Sequence, residues 1–327
     1  MALINPSAAM TEIVTTTLRN RTGKLADNVT KNNALLKRLK AKGKVKPVNG
    51  GRTIVQEMEY AENGTFKRYS GYEALNISPS DVFTASEFNY AQAAVAISIS
   101  GLEEIQNSGE EAIIDLLESR IGNAERTLVN NIAMDCYSDG TADGGRQIGG
   151  LQLLISSSPS SGVVGGIDRA NWAFWRNKKF SGLTDGGAAV SSVNIQSYMN
   201  RLWVQMVRGA DQPDLIVADN NYYRLYLESL QAIQRIASED KAMAGFNALK
   251  YMNADVVLDG GYGGGAPTNS MYFMNTDFIY FRPAAKRNFV PIGDDRYAVN
   301  QDAMVKLIGF AGNLTLSNAF LQGVLVA

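Results

Sequence analysis

The chain has 327 residues, 45% hydrophobic and 19% charged, with a net charge of −1; this is a globular balance, long enough for one large domain or two ordinary ones. It contains no histidine and one cysteine, Cys136, which excludes an internal disulfide, any histidine-based triad and the usual general base and transition-metal ligand near neutral pH, and suits a reducing compartment. No run approaches the roughly 20 apolar residues of a membrane span, and the opening MALINPSAAMTEIV lacks a basic region followed by a long apolar run, so no secretion signal is expected.

Residues 1–49 read as an N-terminal arm. The first 46 carry ten basic side chains (Arg19, Arg21, Lys24, Lys31, Lys37, Arg38, Lys40, Lys42, Lys44 and Lys46) against Glu12 and Asp27, so +8 here stands against −9 in the remainder. That asymmetry suits contact with a neighbouring molecule or with nucleic acid; a solvated lysine-rich helix face is the plainer reading. KNNALLKRLKAKGKV forms a short amphipathic helix with Leu35, Leu36 and Leu39 on one side and Gly43 as its stop. The arm is too poor in apolar residues to bury a core alone.

Residues 50–100 read as a two-armed extension with a buried root and a projecting tip. Ile54, Met58 and Tyr60 fall at strand spacing, and Asn63-Gly64 is a hairpin signal because both residues tolerate positive φ. VFTASEFNYAQAAVAISIS then reads as one very long strand, with Phe83, Ala85, Glu87, Asn89, Ala91, Ala93, Val95, Ile97 and Ile99 on a single face.

GLEEIQNSG suggests a short helix or turn. A helix of about seven turns follows from Glu110, with Ile113, Leu117, Ile121, Ala124, Leu128, Ile132 and Cys136 as one apolar stripe and Asp139-Gly140 as its close. On that stripe Cys136 reads as buried packing, not a reactive thiol. Residues 139–165 read as loops around a strand-like GGLQLLIS. In GGIDRANWAFWRNKKF, Trp172 and Trp175 stand among Arg169, Arg176, Lys178 and Lys179. We read them as a joint between long helix and sheet, with the arginines paired to acids, in preference to a nucleic-acid platform, which needs exposed aromatics along a basic groove. If buried, Trp172→Ala would cost roughly 3–5 kcal/mol. Residues 190–260 form a compact α/β unit: a helix carrying Ile195, Tyr198, Met199, Leu202, Trp203 and Met206, a buried strand PDLIVAD, a helix capped by Asp219 or Asn220, and a strand ADVVLDGG. SMYFMNTDFIYFR and the C-terminal run return to sheet.

Candidate chemistry is sparse. Gly261, Gly263 and Ala266 match G-x-G-x-x-A, but Pro267 and another strand follow where a dinucleotide site needs a helix, and no lysine serves a phosphate loop. Asp135, Asp139 and Asp143 lack calcium-loop spacing and read as helix termination. Glu103/Glu104, Glu110/Glu111 and Asp294/Asp295 read as solvated or inter-subunit charges. No catalytic, cofactor or metal residue is assigned, and the chain is not expected to be an enzyme.

The order of parts is the remaining clue. ISISGLEEIQNSGEEAIIDLLESRIGNAERTLVNNIAMDCYSDG is similar to the junction of extended loop and spine helix in the major capsid proteins of tailed bacteriophages, the HK97-like α+β fold. GGIDRANWAFWRN after IGGLQLLI, and SMYFMNTDFIYF, resemble segments that follow the spine in that family. The resemblance implies an N-terminal arm at 1–49, an extended loop at 50–100, a peripheral domain at 101–190 and 262–327, and an axial domain at 191–261. It implies self-assembly into pentamers and hexamers of an icosahedral virion shell (by way of a procapsid) in the bacterial host cytoplasm. Implied partners are a separate scaffolding protein, because the arm is too short for a built-in one, a portal, a decoration or cement protein, and packaged double-stranded DNA met through the basic arm; no membrane is involved. No Lys–Asn cross-link is expected. The alternatives are an encapsulin-like cellular compartment, a soluble α/β nucleotide-binding enzyme built on 190–267, and a tail-tube or sheath protein, which the long helix fits less well.

Overall fold

The computed structural model describes residues 33–106, 110–230, 248–259, 265–293, 296–297 and 302–327, with Leu25 and Asn28; of these, 104–106, 110–117, 248 and 296–297 are described by their backbone alone. Helix α1 (Ala34–Ala41) starts where the Asn33 side chain accepts the Leu36 N–H (3.0 Å) and stops before Gly43, whose φ of +67° suits a residue without Cβ. Ala34, Leu35, Leu36 and Leu39 are buried, so the arm's expected apolar side is real, and it is covered by the chain's own body.

Strands β1 (Ile54–Glu59) and β2 (Phe83–Phe88) pair antiparallel, Ile54 opposite Phe88 and Glu59 opposite Phe83. The single long strand expected at 83–99 is broken. β3 (Ala91–Ser100) leaves the β1–β2 stalk and pairs with β13 (Ala303–Leu316) in another sheet. The buried side switches at the break: Phe83 is 72% exposed and Phe88 5%, whereas Ala91, Ile97 and Ile99 are buried beyond it. Asn313 holds the bend by donating to the Asn89 carbonyl (2.8 Å). Asn63-Gly64 does turn the chain, and the Asn63 side chain accepts from the Thr65 N–H (3.0 Å) and from Ser80 Oγ (2.9 Å). It is not the hairpin turn between paired strands, which are separated by the whole of 60–82.

Ser100 and Glu103 form a capping box at the start of α2 (Gly101–Gln106): Glu103 accepts the Ser100 N–H (3.2 Å) and Ser100 Oγ accepts the Glu103 N–H (3.3 Å). The spine, α3 (Glu110–Asp135), is about 39 Å long. Ile121, Ala124, Leu128, Ile132 and Cys136 are buried along it as the periodicity requires; the side chains of Ile113 and Leu117 lie outside the described residues. The helix ends at Asp135, a turn before Asp139-Gly140. Burial pushes the Cys136 thiol well up, away from reactivity. The strand expected in GGLQLLIS is instead a helical turn, α4 (Leu151–Leu154), because Leu151 and Leu154 face the core together and the Leu151 N–H bonds the Cys136 carbonyl (2.8 Å). A Cβ on Gly150 would stand 2.4 Å from the Asp135 carbonyl oxygen, so only glycine lets this turn close on the spine.

The short hairpin β4 (Val163–Val164) and β5 (Ile167–Asp168) follows, then β6 (Lys178–Ser181), α5 (Ile195–Met206), β7 (Leu215–Ala218), α6 (Asn220–Ser229), β8 (Ala248–Tyr251), β9 (Ala254–Leu258) and β10 (Ser270–Met274). β11 (Ile279–Pro291), β12 (Arg296–Tyr297), β13 and β14 (Gly323–Val326) complete the chain. Two large sheets result. One runs β6-β14-β10-β7-β9-β8; in the other β13 is central, with β3 on one side and β11 and β12 on the other. The α/β unit therefore takes β6, β10 and β14 from outside 190–260. Its central strands are apolar throughout because both faces are covered. Ile216, Ala218, Met271, Phe273 and Leu325 face α5 and α6, whereas Leu215, Val217, Tyr272, Met274 and Val324 join the core shared with α1 and the spine.

Candidate assembly surfaces

The stalk ends in residues 60–82, which have no assigned helix or strand. Phe66, Tyr69, Tyr72, Leu75 and Ile77 are exposed there, and Phe83 at the neck of the stalk is exposed too. Local contacts give the loop shape without covering it: Lys67 pairs with Glu73 (2.9 Å), Arg68 lies 5.4 Å from the Phe66 ring centroid, and the Tyr60 hydroxyl donates to the Asp81 carbonyl (2.9 Å). So large an apolar set displayed beyond the fold marks an interaction surface.

The root of the stalk rests on the tryptophan segment. Glu87 N–H donates to the Gly165 carbonyl (2.9 Å), and a Cβ on Gly165 would stand 2.8 Å from Ser86 Cβ. Tyr60 meets Trp172 edge-on (ring centroids 6.3 Å apart) and Phe174 at 5.2 Å. The two tryptophans divide the work expected of both. Trp175 is 0% exposed and donates Nε1–H to the Val164 carbonyl (2.9 Å), whereas Trp172 is 49% exposed and packs on the stalk. The segment is a joint, but its arginines do not pair with acids. Arg169, buried, donates to the carbonyls of Leu153 (3.1 Å), Leu154 and Trp175 (3.3 Å), and Arg176 donates to the carbonyls of Arg169 (2.6 Å) and Ala170. Burial pulls Arg169 down to about 10, leaving it charged at neutral pH.

The arm's cations turn inward as well. Arg38 Nε meets Asp214 (2.7 Å) and its Nη1 lies 3.4 Å from Asp255; Lys42 reaches Asp214 (3.1 Å) and Asp277 (3.0 Å), and Lys44 reaches Asp277 (3.7 Å). Burial pushes the Asp214 carboxyl up, but hydrogen bonds from Thr276 and Arg38 and the nearby Lys42 charge outweigh it and hold the group below its usual range. These cations, expected to meet nucleic acid or a neighbour, are consumed within the chain. Arg19, Arg21, Lys24 and Lys31 lie outside the described residues.

No protein-family model and no curated protein sequence matches the chain. Solved structures do. The capsid asymmetric unit of cyanophage A-1(L) superposes with a TM-score of 0.63 over 88% of this chain and 91% of that one, at 15% identity. Mycobacterium phage Bobi gives 0.53 over 87% and 89%, at 12% identity. A virus-like particle from Pyrococcus furiosus gives 0.51 over 92% and 95%, also at 12% identity. The chain has the HK97-like capsid fold.

The HK97-like fold leaves the other candidates in structural roles. Glu103, expected on the surface, pairs with Arg120 of the spine, which holds its carboxyl at about 2. Glu104, Glu110, Glu111, Asp294 and Asp295 have side chains outside the described residues, as do Gly261 and Gly263. The glycine segment leads into β10, not into a helix. Asp135 accepts from Gln147 (2.6 Å) and Asp139 from the Thr141 N–H (3.0 Å), and Asp143 is not brought together with them as a ligand set. Among the described residues no carboxylate–cysteine cluster has metal-site geometry, and no helix is long and apolar enough to cross a membrane.

Proposed function

We propose that this chain is the major capsid protein of a tailed bacteriophage, a shell subunit whose copies form the pentamers and hexamers of an icosahedral head around double-stranded DNA. The observation that carries this reading is the apolar tip at 60–82, held out on a two-stranded stalk where only another molecule can cover it. The likeness to the capsid chain of cyanophage A-1(L) and to a chain of Mycobacterium phage Bobi, over most of both lengths, supports the same reading. In it, 50–100 is the loop that clasps a neighbouring subunit, 101–190 with 262–327 is the peripheral domain, and 191–261, completed by β6, β10 and β14, is the axial domain. Assembly would use a separate scaffolding protein and a portal in the bacterial host, with a decoration protein as an optional addition. The inward pairing of Arg38, Lys42 and Lys44 removes these three cations from any DNA contact by the arm.

Replacing 61–81 by a short Asn-Gly turn tests it. The expected product is a soluble, folded body that forms no shells under the electron microscope; normal shells would overturn the reading. A cellular compartment shell is the second reading, favoured by the likeness to the Pyrococcus particle. Nuclease-resistant DNA inside particles from the native source supports the phage head, and protein cargo in its place supports the compartment.

A further inference from the structure

The outer face of the stalk is acidic. Val55, Glu57 and Glu59 of β1 and Phe83, Ala85 and Glu87 of β2 alternate onto one side of the two-stranded sheet, and all are exposed. Val55 stands opposite Glu87, Glu57 opposite Ala85 and Glu59 opposite Phe83. Glu57 therefore has Glu59 two residues along its own strand and Glu87 on the diagonal, each about 7 Å away. Among the described residues no cation meets any of these carboxylates; Glu87 accepts from Thr53 Oγ1 (3.3 Å). Like charges placed so closely on one sheet face repel each other. The other stalk face carries Ile54, Met58, Ser86 and Phe88, all buried, and Ser86 Oγ donates to the Leu316 carbonyl (3.4 Å). The acidic face therefore looks away from the body of its own chain.

A second charged feature of opposite sign stands on β11. Between the pairs Pro283–Gly312 and Asn288–Phe310, β11 has Ala284, Ala285, Lys286 and Arg287 where β13 has Ala311 alone. This bulge throws Lys286 and Arg287 out of the ladder, and both are exposed. It is held on two sides. Residues 44–48 run beside β11: the Val48 N–H donates to the Pro283 carbonyl (2.8 Å) and the Ala285 N–H to the Val48 carbonyl (2.9 Å). Just beyond, Phe289 is buried at a φ of +57°, a conformation that a bulky residue keeps only when its surroundings hold it, and its ring centroid lies 5.0 Å from that of Phe310. Among the described residues no carboxylate meets Lys286 or Arg287. The fold thus presents two adjacent cations on a fixed bulge and three carboxylates on a fixed stalk, each set without a counter-ion.

We propose that Lys286 and Arg287 of one copy dock on the Glu57, Glu59 and Glu87 face of a second copy's stalk. Different patches meet, so the contact is head-to-tail and passes from copy to copy, as a closed ring requires. The proposal rests on the reading of the chain as a shell subunit. Charge reversal in the full-length chain tests it. Lys286→Glu with Arg287→Glu, and separately Glu57→Lys with Glu59→Lys, should each raise the protein concentration needed for association at least about tenfold. The chain carrying all four changes should return to within about threefold of the parent, because the attraction is restored with its sign exchanged. A parent chain that stays single at every concentration would overturn the shell reading and this contact with it. A parent that associates, with reversals that change nothing or whose combination restores nothing, would overturn the contact alone. Normal shells from Lys286→Glu with Arg287→Glu that protect less DNA from nuclease would assign the bulge to nucleic acid and overturn it too. Cross-linking gives an independent reading, since Cys136 is buried. A chain carrying Glu57→Cys and Arg287→Cys, treated with a short bismaleimide after association, should give a ladder of linked copies. Linkage within single chains, or none, would overturn the proposal.

Discussion

The arm and the extended loop look alike on paper, two limbs that cannot bury a core alone, yet their fates differ. The leucines of α1 are sealed against its own body, and Arg38, Lys42 and Lys44 are met by Asp214, Asp255 and Asp277. The loop's Phe66, Tyr72 and Ile77 meet nothing comparable. The difference teaches that the demand for a neighbour is concentrated in the loop, and that α1 is part of the monomer's core. Substitutions in the arm should therefore act on stability, and substitutions in the loop on association.

The largest effect tests the arm. Leu39 is fully buried, and Leu39→Ala should cost about 3 kcal/mol in denaturant unfolding of the unassembled chain. A loss below about 0.5 kcal/mol would mean that α1 is dispensable to the monomer, and the contrast with the loop would vanish.

Next comes the charge cluster. Arg38→Met leaves the mostly buried Asp214 and Asp255 short of a cation. A fully buried pair broken in this way costs about 3–5 kcal/mol; Arg38 is 22% exposed, so about 2 kcal/mol is expected. The pH dependence has a definite sign. Asp214 titrates lower in the folded state than in the unfolded chain, so its contribution is complete above the unfolded value of about 4 and is lost as pH falls through the lower folded value. Protection of the amides at 34–41, taken relative to the intrinsic exchange rate at each pH, should fall below about pH 4, and Asp214→Asn should flatten that dependence.

What the sequence made legible follows from range. The spine's stripe and the cap at Asp219 are local patterns, and the order of parts sufficed for the fold. Three misreadings share one cause, a partner distant in the chain. Alternation through 83–99 is seamless, but β2 answers to β1 and β3 to β13. The apolar run at 151–154 fits a strand or a helical turn equally, and the spine's end decides. Arg38 finds Asp214 176 positions away, which charge counting does not reveal. Trp172 and Trp175 are equivalent as letters; only the position of the stalk shows which one is left half exposed.

Trp172 sits at the boundary between the two behaviours. Trp172→Ala removes an edge-on contact with Tyr60 and a second with Phe174 (5.8 Å), from a side chain already half in water. A cost of about 1 kcal/mol is expected, well short of the 3–5 kcal/mol appropriate to the sealed Trp175. Unfolding of the two alanine variants side by side checks the order, and a reversed order would reassign the joint.

The smallest effect on the monomer should be the most consequential for association. Tyr72 and Ile77 are almost wholly exposed, so Tyr72→Ser and Ile77→Ser should leave the unfolding free energy within about 0.5 kcal/mol of the parent. Each side chain, once covered by another molecule, would contribute about 2 kcal/mol per contact. At about 1.4 kcal/mol per tenfold, that raises the protein concentration needed for association roughly 30-fold. Light scattering against concentration reads the shift, and unfolding on the same samples shows that the monomer is intact. A destabilised monomer would mean that the loop already folds against its own body. Unchanged association from an intact monomer would mean that the exposed tip is not the surface through which these copies meet.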